Sequence, residues 1–309
     1  MDKPPFNPYI AVFIGVISVS TAAIFVKLAA EAPASIIANY RLLIAVLIMA
    51  PYILWKYRHE FSKISWMDWI LACFAGIFLA LHFILWFESL NYTSVASSVV
   101  LVTMQPIFAF LGTYLFFQER FTAGSLLSMV ITLTGSVIIG WGDFQISGMA
   151  LLGDILALLG GAMVTGYFLL GQNLRKRLSL MTYTFVVYAM ASAVLIIYNL
   201  ILQHPFTGYP SDHWWIFIAL AIIPTFFGHT MFNWALRWLS TSTISMSILF
   251  EPLGASILAY IILGEMITWE QWLGGTIVIF GLMMFIFSTT KKVAPKLTRL
   301  SKTNQETEK

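Results

Sequence analysis

The sequence predicts an all-α integral membrane fold of ten transmembrane helices, arranged as two inverted five-helix repeats with both termini cytoplasmic. Three observations predict it. The 309 residues are 59% hydrophobic and only 10% charged, against about 25% charged in ordinary globular chains, so the bilayer must act as solvent for most of the surface. Mostly apolar runs of about 20 residues, enough to cross a hydrocarbon core, occur ten times. A set of punctuating residues in the first half also returns in the second at one fixed spacing.

In chain order, Pro8–Ala29 is too long for a signal-peptide core and lacks a small-residue cleavage site, so it reads as the first membrane helix. Pro33–Trp55 ends on a tryptophan, and Asp68–Ser89 is preceded by Trp66, as an interfacial aromatic belt requires. Ser94–Phe117 carries Pro106. Thr122–Gly140 carries Gly124, Ser128 and Gly135 and stops before Trp141. Gly148–Gly171 and Met181–Leu202 follow. His213–Ala235 contains Trp214 and Trp215 and is followed by Trp238. Ser242–Leu263 carries Pro252, and Glu270–Ser288 carries Trp272, Gly274, Gly275 and Gly281. The small residues of the fifth and tenth runs permit close helix packing. The connections are short, and none could hold a soluble domain.

The basic residues orient the bundle. With the N-terminus inside, the inner loops and termini hold Lys3, Lys56, Arg58, Lys63, Arg120, Arg175, Lys176, Arg177, Arg237, Lys291, Lys292, Lys296, Arg299, Lys302 and Lys309, which is 15 of the 17 Lys and Arg residues. Lys27 and Arg41 lie within spans. The outer loops hold none, as the positive-inside rule requires, and removing one span would scramble the pattern. The run Arg175–Lys176–Arg177 is thus a topological anchor, and nucleic acid is not an expected partner. Residues 289–309 form a polar cytoplasmic tail. Cys73 is the single cysteine, which excludes an internal disulfide and disfavours a cysteine metal site. Histidines 59, 82, 204, 213 and 229 show no metal-ligand spacing, so no metal or cofactor is expected.

SVASSVVLVTMQPIFAFLGTYLFFQERFT in the first half corresponds to STISMSILFEPLGASILAYIILGEMIT in the second. Pro106 and Pro252, Glu119 and Glu265, and Gly135 and Gly281 each stand 146 positions apart. The repeats are 8–140 and 148–288. Five spans is an odd number, so the copies face opposite ways, a design that suits alternating access. Pro106 and Pro252 are candidates for paired helix breaks or hinges near the midplane; ordinary kinks are the alternative.

Ionisable side chains inside spans are costly and usually face a cavity or one another. Glu251, near the middle of the ninth span, is the candidate for proton coupling, because a carboxyl group removed from water can exchange a proton; a static hydrogen bond or a pair with Arg41 is the alternative. Arg41 offers a planar fork suited to carboxylates. Lys27 and Glu88 lie near outer helix ends and could instead snorkel to the surface. If these four face one cavity, the mixed signs suit a zwitterion such as an amino acid. Asn39, Gln105, Tyr167, Asn233, His82 and His229 are candidates for lining the cavity or bridging helices. Glu119 and Glu265, at helix ends, read as capping or hinge residues.

Gln105–Pro106 with Gln118–Glu119, Glu251–Pro252 with Gly264–Glu265, and the stretch KLAAEAPASIIANYRLLIA holding Lys27, Pro33 and Arg41 resemble the drug/metabolite transporter superfamily, specifically its EamA-type bacterial permeases. The resemblance runs from about Tyr9 to Phe287. It implies a multi-pass protein of a bacterial plasma membrane. It also implies export or uptake of small metabolites, amino acids or drugs through a central cavity, with export favoured; alternating access, as in secondary transporters, is the expectation from the inverted repeat, and protons as a candidate coupling ion from Glu251. The implied partners are a small-molecule substrate and the bilayer, and a monomer or a homodimer would both fit. Gln105 stands where the second repeat has Glu251, so an acidic role is not duplicated. A channel is the alternative. A membrane-embedded enzyme is not expected: Gly140-Trp141-Gly142-Asp143 matches one aspartyl-protease pattern, but the sequence has no Tyr-Asp partner, HExxH, GxSxG or P-loop.

Overall fold

The computed structural model describes residues 4–141, 148–264 and 266–290; Asp143, Glu265 and the tail beyond 290 lie outside them. Among the described residues, ten helices are long and apolar enough to cross a membrane: α1 (Pro8–Leu28), α2 (Ala34–Phe61), α3 (Trp66–Ser89), α4 (Val95–Phe117), α5 (Ala123–Gly140), α6 (Gly148–Leu174), α7 (Leu180–Ile201), α8 (Ser211–Ala235), α9 (Thr241–Ile262) and α10 (Trp269–Ser288). The ten-span expectation holds, with most ends displaced by a few residues. The largest difference is in α2, which runs past Trp55 through a wide π-helical turn, Ile53–Tyr57, to Phe61.

Local chemistry explains the ends. Hydroxyls of Ser65, Ser94, Thr122 and Ser179 accept from backbone N–H groups three residues on, at 3.0 to 3.2 Å, and so cap α3, α4, α5 and α7. The helices of α4 and α9 stop at left-handed residues, Gln118 (φ 54°) and Gly264 (φ 72°). This conformation terminates a helix by turning the chain out of its axis. It is the physical content of the paired Gln-Glu and Gly-Glu signature.

Three helices are interrupted. α1 breaks between Val19 and Ala22, α4 between Val102 and Gln105, and α9 between Ile248 and Glu251. Pro106 and Pro252 sit second in the new half-helices, where a missing N–H costs nothing because first-turn donors have no intrahelical partner. α1 has no proline at its break. Its Ser20 hydroxyl folds back onto the Val16 carbonyl at 2.8 Å, and Ser20 lies so close to Gly254 that a Cβ there would come within 2.4 Å of its hydroxyl. The α1 break therefore packs directly onto the second half of α9.

α3 lies along α6, and α1 packs on α8; exchanging the repeats converts one pair into the other. α5 lies along α10, and α2 packs on α7, so each of these helices meets its own counterpart. At the α5–α10 seam, a Cβ on Gly135 would stand 2.8 Å from the Gly274 carbonyl oxygen, which is why no larger residue fits. The basic loops gather at one end. There Arg177 pairs with Asp68 at 2.6 Å, and Thr182 donates to Glu60 at 2.6 Å. The anchor run divides: Arg175 turns inward, 2% exposed, and donates to the Asn233 carbonyl at 2.9 Å and to the Leu178 carbonyl. Burial lowers its guanidinium to about 10.

Candidate functional site

Seven of the ten helices meet at a central cavity. Its walls include Val19 and Ala22 of α1, Arg41 of α2, His82 and Trp86 of α3, Gln105 of α4, Phe168 of α6, His229 and Phe232 of α8, and Glu251 of α9. The three helix breaks all border it, so backbone at membrane depth lines a cavity and does not face lipid. The space is tight. About 20 Å³ is open to the centre of a water-sized sphere, room for a single water molecule.

Arg41 is fully buried, and α8 explains how its charge is held. Pro224 lacks an N–H, and α8 widens into a π-helical stretch, Ala221–His229. The Thr225 hydroxyl donates to the Leu220 carbonyl at 2.8 Å, four residues before Pro224, where a proline cannot supply the usual backbone donor. Arg41 Nε donates to that same hydroxyl at 2.8 Å, and Nη2 donates to the Pro224 carbonyl at 3.1 Å. The guanidinium carbon lies 4.3 Å from the centre of the Phe83 ring, a stabilising cation–π geometry. Nη1 is buried without a protein partner.

Glu251 is the first residue of the second half of α9 and is 5% exposed. It shares the cavity with Arg41, yet the two form no ion pair within 4.0 Å. Gln105 holds the equivalent first position in α4, and its Oε1 is buried and unpartnered. Histidines from equivalent helices approach each other, with ring centroids of His82 and His229 at 6.2 Å. His82 Nδ1 is 2.9 Å from the Gly160 carbonyl. A carbonyl can only accept, so that nitrogen carries the proton. His229 Nδ1 has no partner.

Of the residues the sequence singled out, Glu251, Arg41, Gln105, His82 and His229 thus converge on the cavity. Five others, Lys27, Glu88, Asn39, Tyr167 and Asn233, are not among its walls. Lys27 Nζ reaches the Leu90 carbonyl at 3.4 Å, and Glu88 accepts from Asn91 at 3.3 Å. Asn39 is buried between α2 and α7, where it accepts from Ser192 at 3.2 Å. Tyr167 sits behind His229, ring centroids 6.1 Å apart, and accepts a hydrogen bond from Asn233. Pro106 and Pro252 stand beside the cavity-lining Gln105 and Glu251. Sequence reading missed the aromatic wall and the Arg41 anchor. Trp86 lies four residues from His82, one helical turn on, with the rings stacked at 5.5 Å; that spacing was a usable signal. Nothing in the sequence distinguishes Phe168, Phe232 or Thr225 from other buried residues. Asp68 and Asp154, at opposite ends of the bundle, are engaged with Arg177 and with Thr93 and Ser97.

The basic end carries a second asymmetry. Ser94 caps its own helix, but its counterpart Ser240 makes no such cap. Instead Ser240 donates to Glu119 Oε1 at 3.1 Å, and Ser242 donates to Oε2 at 2.9 Å. The carboxylate at the end of α4 thereby holds the start of α9.

The pattern of the EamA-like transporter family matches residues 7–141 and again 151–287. An uncharacterized transporter of Bacillus subtilis, YxxF, is 25% identical over 232 residues, covering 74% of this chain and 73% of the relative. An uncharacterized transporter of Archaeoglobus fulgidus is 24% identical over 261 residues, covering 83% and 87%. A crystal structure described only as that of a protein superposes with a TM-score of 0.73 at 15% identity, over 90% of this chain and 95% of its own; that likeness is one of fold.

Proposed function

Because the chain belongs to the EamA-like transporter family, and is therefore a multi-pass membrane transporter, we propose that it carries small zwitterionic metabolites, amino acids or related compounds, outward across the plasma membrane. The repeats 8–140 and 148–288 work as an inverted pair in alternating access, with protons as the coupling ion. One observation carries the substrate class: a fixed cation, Arg41, and a carboxyl group, Glu251, line one cavity without forming an ion pair. Arg41 Nη1 is a donor left over for a substrate carboxylate, and Glu251 is an acceptor for an ammonium group. The aromatic wall supplies the apolar surface that small-molecule sites use for shape.

Counterflow in proteoliposomes tests the reading. Vesicles preloaded with an amino acid should accumulate the labelled compound saturably. Linear, non-saturable flux would indicate a channel, and the absence of flux with any zwitterion, from folded protein, would remove this substrate class.

The clasp of Glu119 on Ser240 and Ser242 supports a state closed at the basic end. Charged hydrogen bonds of this kind are each worth about 1.5 to 3 kcal/mol, so Glu119→Ala should shift the equilibrium toward opening there. A cysteine at the cavity-lining position (Ile248→Cys, in a Cys73→Ser background) should then react about tenfold faster with an impermeant thiol reagent applied from the basic side. An unchanged rate would assign Glu119 to helix capping alone.

A further inference from the structure

The basic end holds a second basin, apart from the central cavity. Between the α2–α3, α6–α7 and α8–α9 connections lies a basin with about 380 Å³ open to the centre of a water-sized sphere, far roomier than the central cavity. His59, Lys63, Lys176, Arg177 and Arg237 line it, with Glu60 the one carboxylate among its described walls. These cations are scattered along the sequence, and three connections from both repeats bring them to one place. Orienting the bundle needs basic residues at this end, but it does not need them to converge. Lys56, Arg58 and Arg120 satisfy the same rule without lining the basin.

Two carboxylates at this end are already engaged. Glu60 accepts from Thr182 at 2.6 Å, and Asp68 is paired with Arg177 at 2.6 Å. Depth is set by the helix ends: the basin's walls lie within a few residues of Phe61, Leu174 and Ala235, where spans end. Trp66, 80% exposed at the start of α3, marks the interface where amphipathic rings settle. A cationic basin at this depth faces lipid headgroups, and basic pockets between helices are a known form of anionic headgroup site.

We infer that this basin binds the phosphate-bearing headgroup of an anionic phospholipid. Lys63 and Lys176 supply the main cationic contacts, Arg177 is held at the rim by Asp68, and the acyl chains lie along the adjoining helix surface. The lipid would thereby tie α2, α6 and α8 together at the end where Glu119 clasps α9.

The test uses the full chain in detergent, with thermal stability and native mass spectrometry as readouts. Dioleoylphosphatidylglycerol should raise the Tm and appear as a retained adduct, and dioleoylphosphatidylcholine should do neither. Lys63→Gln with Lys176→Gln should weaken the phosphatidylglycerol titration about tenfold or more, since each cation near an anionic headgroup contributes comparably. Lys56→Gln with Arg58→Gln removes the same charge outside the basin and should leave the titration unchanged. Equal losses in the two double variants would overturn the site in favour of diffuse surface charge. Equal stabilisation by glycerol phosphate at matched concentration would overturn the lipid in favour of a soluble phosphate. If the Lys63/Lys176 variant does not fold, the comparison of phosphatidylglycerol with phosphatidylcholine on the unaltered chain still decides, and equal retention of both would sink the inference.

Discussion

Glu251→Gln is expected to abolish proton-driven accumulation while sparing counterflow. Glutamine keeps the size and polarity of the side chain and can still accept a hydrogen bond through its amide oxygen, but it cannot exchange a proton. The residue is almost fully buried, begins a half-helix, and faces the same cavity as a fixed cation. A carboxyl group in such a place is charged or neutral depending on what shares the cavity, and that dependence is what coupling requires. The ratio of uptake with and without an imposed pH gradient should fall to about one in the variant, as expected when the titrating group is lost, while exchange of preloaded for labelled substrate continues. Gradient stimulation of the same size in Glu251→Gln would assign coupling elsewhere. Loss of both activities from protein with an unchanged Tm would mean that the substrate needs the carboxylate itself, and would leave the proton-carrier role of Glu251 unsupported. Gln105 occupies the equivalent position in the first repeat, so there is no second carboxyl group there to compensate.

Arg41→Ala should be the more damaging change for binding. Two of the guanidinium nitrogens are anchored to α8 through Thr225 and Pro224, and the third is buried without a partner. Removing one partner of a buried charged contact typically costs 2 to 5 kcal/mol, so affinity for a carboxylated substrate should fall about thirtyfold or more. An amidated analogue should be affected far less. Equal losses for both compounds would argue against direct contact with the carboxylate. Arg41→Lys should fail to restore binding, because a single ammonium cannot hold both α8 acceptors in a planar fork and still present a free donor. Because Arg41 also ties α2 to α8, the Tm of each variant must accompany the affinities. Arg41→Lys retaining the wild-type Tm with the binding defect would separate recognition from folding.

The ten spans, the repetition and the clustering of basic loops were legible in the sequence. Crossing a bilayer imposes length and apolarity on every span, and charge asymmetry and fixed residue spacing are linear properties. The left-handed stop at Gly264 also left a mark, since glycine tolerates that backbone, whereas Gln118 adopts it without any such signature and is matched only by the glutamate that follows. Glu251 and Arg41 stood out because a charge inside a span is costly wherever it points.

Where each polar side chain points was decided only by the tertiary structure. Lys27, Glu88, Asn39 and Tyr167 are as polar as the residues that reach the cavity, and whether such a residue lines it depends on helix rotation and on which neighbour covers it. The break in α1 has no proline to announce it; it accompanies the approach of Ser20 to Gly254 across 234 positions of sequence. The hold on Arg41 combines a proline that removes one donor, a hydroxyl that answers the freed carbonyl, and a guanidinium that reads both. A linear pattern carries the proline and the threonine, but only packing brings the arginine to them, because the contact joins helices from different repeats.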